Sequence, residues 1–77
     1  MATENQPTFI APFGQYSVED PERHDAIAVC RTLPLAKLVA LAASNWRELE
    51  GLDVRVFDPL GQVVGTARDG EWLEAVA

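Results

Sequence analysis

Hydrophobic residues recur at helical spacing between Thr32 and Gly51, the longest periodic segment of the chain. On a helical wheel seven apolar side chains share one broad stripe, wide enough to pack against a sheet. They are Leu35, Leu38, Val39, Ala42, Ala43, Trp46 and Leu49. Thr32 suits the N-cap, Pro34 the first turn, and Gly51 the left-handed residue that ends a helix. The pattern therefore predicts one long helix that buries its leucines.

Alternating patterns on both sides of this helix predict β-strands. Residues 26–32 place Ile27 and Val29 on one face and small residues on the other, which would let the helix approach the sheet closely. Residues 52–58 form the strand after the helix. Because strand, helix and strand follow one another with tight connections, we expect a right-handed crossover and two parallel strands.

Two turn signals follow. Asp58-Pro59-Leu60-Gly61 is typical of a type I turn and joins residues 52–58 to a return strand over residues 62–68. This register places Val56 opposite Val64 and Gly65 opposite Arg55.

Asp69-Gly70 indicates a second, two-residue hairpin. It pairs Ala67 with Trp72 and Thr66 with Leu73. Residues 71–77 could form a strand or a short helix, and the consistent register favours the strand.

The predicted fold is α+β, with element order β-α-β-β and a further strand at the end. It is a small mixed sheet with one long helix packed on one face. The register places Phe57, Val63 and Trp72 on the opposite face, together with Ala67 and Val76. A single helix cannot cover this face, so a further segment or another chain is expected to bind there.

The N-terminal quarter divides into three parts. Residues 1–7 are polar and predict a disordered start. Residues 8–18 are rich in apolar side chains, including Phe9, Phe13 and Tyr16, and indicate an irregular or short-strand arm that packs on its own domain or on a neighbour. Residues 19–25 form a charged loop, so residues 8–25 are arm and loop, and residues 26–77 form the single small domain.

Composition narrows the class of partner. The formal charge of −6 over 77 residues argues against binding to nucleic acid phosphates, since the six basic residues are scattered. The lone cysteine and the missing signal peptide predict a cytoplasmic protein, and no apolar run is long enough for a membrane span. A chain this short buries a modest core, so self-association or a partner is expected to add stability.

Catalytic chemistry has two candidates in the sequence. His24 beside Asp25 could act as a general base or a metal ligand with neighbouring acids, but a solvated loop is the simpler interpretation. Cys30 could be a nucleophile only in an accessible, electropositive setting, and a buried small side chain is expected instead. No cofactor or metal site is predicted.

Residues 26–72 contain two segments separated by an apolar helix. The first ends in AVCRT (residues 28–32), and the second is VRVFDPLGQVVGTARDGEW (residues 54–72). This pattern resembles small uncharacterised proteins of actinobacterial phages and their hosts. The resemblance implies a short cytoplasmic protein that acts by contact with a host or phage protein, and it carries no catalytic residues over.

The sequence therefore predicts a non-enzymatic interaction protein that self-associates, as a dimer first of all, or binds a protein partner. Its expected contact residues are Phe57, Val63, Trp72, Phe9, Phe13 and Tyr16. The alternative is a small virion accessory protein that forms a closed oligomer through an open sheet edge. A small enzyme using His24 or Cys30 ranks third.

Overall fold

A computed structural model describes residues 14–75 of the chain. Within this range one helix packs on a five-stranded sheet, which confirms the predicted small α+β fold. The strands are β1 (Tyr16–Glu19), β2 (Ala26–Cys30), β3 (Val54–Phe57), β4 (Val63–Arg68) and β5 (Glu71–Glu74). The helix α1 is Leu33–Ala43. The predictions for residues 1–13 and 76–77 lie outside the described residues.

The sheet order is β2-β1-β3-β4-β5, and every neighbouring pair is antiparallel. The sheet is therefore antiparallel throughout rather than mixed. β2 and β3, which flank α1, do run in the same direction, because each is antiparallel to β1. The difference from the prediction is that β1, assigned by the sequence to the arm, lies between them and occupies the centre of the sheet.

Helix α1 is shorter than the periodicity indicates. Thr32 caps it as predicted, its Oγ1 accepting a hydrogen bond from the backbone N–H of Leu35 at 3.3 Å. At the other end Ser44 Oγ and Asn45 Nδ2 both donate to the backbone carbonyl of Leu41. Such side-chain bonds compete with the helical ladder. The chain then turns through a short 3-10 helix, Arg47–Leu49, instead of continuing to Gly51.

The buried face of α1 is its alanine face. Ala36, Ala40 and Ala43 are fully buried, whereas Leu35 and Leu38 are 49 % and 65 % exposed. The prediction that Leu35 and Leu38 face the sheet is thus wrong, although Ala43 of the same predicted stripe is buried. Alanines let the helix axis come close to the sheet, so the valines of the central strands fill the space beneath it. The core cluster comprises Val18, Cys30, Ala36, Ala40, Ala43, Leu49, Val54, Val56 and Ala67.

The first hairpin contains a β-bulge that the sequence does not signal. The Asp58 N–H bonds to the Gln62 carbonyl at 2.8 Å, as the turn predicts. Between Val56 and Phe57 the register then shifts, so Val56 lies opposite Gly65 rather than Val64. Arg55, predicted to lie opposite Gly65, consequently pairs with Thr66.

The second hairpin agrees with its prediction. Ala67 pairs with Trp72 and Thr66 with Leu73, which makes residues 71–74 a strand. Asp69 and Gly70 have φ of 49° and 83°, the left-handed values that a type I′ turn requires at both central positions.

Candidate interaction surfaces

The bulge separates the residues that the sequence placed together on the sheet. Trp72 lies opposite Ala67, which lies opposite Val54, so Trp72 shares the helix side of the sheet. It packs against the core cluster, and Lys37 Nζ is 5.1 Å from its ring centroid. Its indole N–H donates to the Glu74 carboxylate. The placement of Trp72 on the helix-free face is therefore wrong.

Phe57 and Val63 do lie on the helix-free face. They form a row across the sheet with Ser17 and Val29, since these residues are paired directly. Phe57 is only 2 % exposed, and the Arg55 guanidinium carbon lies 5.4 Å from its ring centroid. Phe57 is thus a packed side chain rather than an open contact site.

A partly buried ion pair lies beside this row. Arg55 donates from Nε and Nη2 to the same Glu19 carboxylate oxygen, at 2.9 and 2.5 Å. The Glu19 side chain is 5 % exposed and that of Arg55 43 %. The pair joins β1 to β3 and makes this face more polar than the sequence pattern indicates.

The three aromatic residues predicted in the arm have different outcomes. Tyr16 begins β1 opposite Cys30 and packs against the core cluster. Phe9 and Phe13 lie outside the described residues.

The outer face of α1 is an apolar surface that the sequence pattern did not predict. Leu35, Leu38 and Ala42 are all exposed, and their i, i+3, i+7 spacing places them on one side of the helix. Lys37 is the single charged residue of the eleven in α1. A helix that is apolar on all sides is normally covered on all sides. The sequence did contain a signal for this surface, namely the lack of charge in α1. However the helix is rotated, one sheet leaves some of its apolar side chains exposed.

Trp46, expected in the core, is 48 % exposed. It adjoins a cleft lined by residues 44–47 together with Glu50 and Asp69. Asp69 already accepts the Gly51 N–H, and Ser44 accepts the Gly70 N–H. The Ser44 bond attaches the end of α1 to the β4–β5 turn, and the Asp69 bond attaches the same turn to Gly51, so these two side chains have structural roles.

The two catalytic candidates are placed in ordinary structural settings. Cys30 is buried in the core, and desolvation raises the pKa of its thiol, which favours the unreactive protonated form. His24 has a left-handed φ of 59° in a turn where its N–H bonds to the Asp20 carbonyl. Over residues 14–75 no three His, Cys, Asp or Glu side chains are grouped so that they could hold a metal ion.

The fold and these surfaces define a small α+β protein with an exposed apolar helix. Comparison of the chain with protein-family models, curated proteins and solved structures finds no match. In the part of the chain that the structure describes, no helix has the length and apolar character needed to cross a membrane.

Proposed function

We propose that this chain is a non-enzymatic interaction protein that binds a protein partner through the outer face of α1. The observation that carries the proposal is the inverted packing of the helix. Its alanines face the sheet, while Leu35 and Leu38 remain about half to two-thirds exposed. Together with Ala42 they form what we call the leucine ridge.

Burial of the leucine ridge would release substantial free energy. Complete burial of one exposed leucine side chain is worth about 1.5–3 kcal/mol. Amphipathic helices commonly bind by placing residues at i, i+3 and i+7 into an apolar groove of a partner. The proposed partner therefore presents an apolar groove, and the ridge fills it.

The absence of catalysis is part of the proposal and rests on the two candidate groups. The buried, protonated Cys30 thiol is a poor nucleophile. His24 is exposed in a surface turn, where its backbone N–H bonds to the Asp20 carbonyl. The lone free cysteine also supports a cytoplasmic location. The resemblance to phage and host proteins would make the partner a host or phage protein.

The alternative, a virion accessory protein that closes into a ring, has less support. A ring made through sheet edges would join β2 of one copy to β5 of the next. β5 carries Glu71 and Glu74, both exposed, and β2 has no basic residue between Ala26 and Cys30 to pair with them. A large closed oligomer in sedimentation velocity would favour this alternative.

The leucine ridge is tested by affinity capture with Leu38→Lys, followed by mass spectrometry. The matched control is Leu60→Lys, because Leu60 is 84 % exposed in the β3–β4 turn and the chemical change is the same. The proposal expects a stoichiometric protein that the wild type and Leu60→Lys retain and Leu38→Lys loses. Retention of the same protein by both variants would contradict it.

A further inference from the structure

We propose that Trp46 and a cleft beside it bind an arginine side chain of a protein partner. This second cleft at Trp46 has a volume of about 380 Å³ and lies between the β1–β2 loop and the short 3-10 helix. It is lined by Asp20, Glu22, Arg23, Trp46, Glu48 and Leu49. None of these residues belongs to the leucine ridge, so the site does not rest on the function proposed for the ridge.

The indole of Trp46 forms an apolar wall of the cleft, and Trp46 is 48 % exposed. The backbone that carries the indole is held on both sides. The Trp46 N–H bonds to the Ala43 carbonyl at 2.9 Å, and the Trp46 carbonyl accepts the Leu49 N–H at 3.0 Å. Because this backbone is already fixed, little freedom would be lost when a partner packs against the ring.

Cations of the chain itself lie over two other aromatic rings. Within residues 14–75, Lys37 lies over the Trp72 ring and the Arg55 guanidinium over the Phe57 ring. Neither contact involves Trp46, so its ring is available to a cation from another molecule. Tryptophan attracts cations more strongly than the other aromatic side chains, and a planar guanidinium stacks well on its face.

The charge of the cleft selects a cation. Three carboxylates line it, those of Asp20, Glu22 and Glu48, against the one guanidinium of Arg23. The Asp20 carboxylate already accepts the backbone N–H groups of Glu22 and Arg23. In the described part of the chain neither Glu22 nor Glu48 forms an ion pair, and both are exposed. These two carboxylates can therefore accept hydrogen bonds from a bound cation.

An arginine side chain matches both the apolar and the charged parts of the cleft. Its methylene stem would pack along Trp46 and Leu49, while its guanidinium donates to Glu22 or Glu48. Lysine fits less well, because its ammonium is compact and strongly hydrated and has no plane to stack on the indole. The volume of the cleft lies in the range of about 300–1,000 Å³ that is usual for small-ligand pockets.

Titration with N-acetyl-arginine amide, followed by nuclear magnetic resonance, tests the site. The two tryptophans give two indole N–H signals, and Trp46→Phe assigns them by removing one. The Trp46 signal should shift saturably with the arginine amide. The Trp72 signal is the internal control and should stay in place, because Lys37 already lies over that ring. N-acetyl-citrulline amide, which has a similar shape without the charge, should cause no saturable shift.

Charge variants at the cleft should change the affinity in opposite directions. Glu22→Gln and Glu48→Gln should each weaken binding about two- to fivefold, the effect of losing an exposed ion pair. Arg23→Gln should strengthen binding, because a repelling charge is removed. Glu71→Gln, at an exposed glutamate of β5 outside the cleft, is the matched control and should bind like the wild type.

Several results would overturn the proposal. They are a Trp46 signal without a saturable shift, equal shifts at both indoles, equal shifts with the arginine and citrulline amides, and an affinity that no charge variant changes. Leu38→Lys should bind the arginine amide like the wild type. This titration therefore succeeds or fails independently of the leucine ridge.

Discussion

The indole of Trp72 occupies the space that a side chain at Gly65 would need. A Cβ at Gly65 would lie 2.6 Å from Trp72 Cη2, closer than real Cβ contacts allow. The two residues are diagonal neighbours on β4 and β5, because Gly65 pairs with Glu74 and Trp72 pairs with Ala67. The missing side chain at Gly65 therefore lets the indole lie flat on the helix side of the sheet, within reach of Lys37.

Gly65→Ala should destabilise the protein by about 1–3 kcal/mol, the usual cost of overpacking a filled site. The methyl group can be accommodated only if the Trp72 ring moves away from the core. The free energy of unfolding in urea measures this loss. The same substitution in a Trp72→Leu background should cost clearly less. Equal losses in the two backgrounds would mean that the ring does not fill this space.

The β-bulge in the first hairpin explains why the sequence pattern assigned Trp72 to the wrong face. Both turns and the second register were predictable from Asp58-Pro59-Leu60-Gly61 and Asp69-Gly70. The bulge between Val56 and Phe57 was not, since a single extra residue leaves the alternating pattern intact on either side of it. Every residue beyond the bulge then changes face relative to β3.

Loss of the Arg55 guanidinium should lower the free energy of unfolding, because its partner Glu19 is buried. Arg55→Met leaves the Glu19 carboxylate without its ion pair. We expect the free energy of unfolding to fall by about 1–3 kcal/mol. This is less than for a fully buried pair, because Arg55 is partly exposed to solvent. Replacing both residues, as Glu19→Leu with Arg55→Met, should recover part of the loss in urea unfolding.

Arg68→Met is the matched control for Arg55→Met. Arg68 pairs with Asp53 at 2.7 Å, but both side chains are about half exposed. Solvent screens such a pair, so its loss should be smaller than that at Arg55. If Arg68→Met lowered the free energy of unfolding more than Arg55→Met does, the Glu19–Arg55 pair would not be the more stabilising of the two.

The Cys30 thiol should make stability fall at alkaline pH. Burial raises its pKa in the folded state, so the unfolded thiol ionises first as the pH rises. The contribution of the buried thiol is therefore complete below the ordinary thiol pKa of about 8.5 and decreases above it. Urea midpoints between pH 7 and 10 should decline more steeply for the wild type than for Cys30→Ala. Parallel declines would show that Cys30 does not contribute.

The position of the central strand β1 and the buried face of α1 could not be predicted from the sequence pattern. Tyr16–Glu19 is too short to be distinguished from an irregular arm until its neighbours are known, because β1 gains its stability from pairing with both β2 and β3. In α1 the helical wheel placed the large leucines on one broad stripe, and this favoured that stripe as the buried face. The sheet instead selected the alanine face, since close approach buries more of the neighbouring strands. The cap at Thr32 depends on local chemistry alone and was predictable.

The inward orientation of the alanine face is tested by comparing the urea stability of Leu38→Lys with that of Ala40→Leu. With the alanine face inward, Leu38→Lys should change the free energy of unfolding by no more than about 0.5 kcal/mol, as expected for an exposed site. Ala40→Leu should cost about 1–3 kcal/mol or more, because the fully buried Ala40 has no room for a larger side chain. If Leu38→Lys unfolds the protein and Ala40→Leu is tolerated, the leucines form the core and the alanine face does not pack on the sheet.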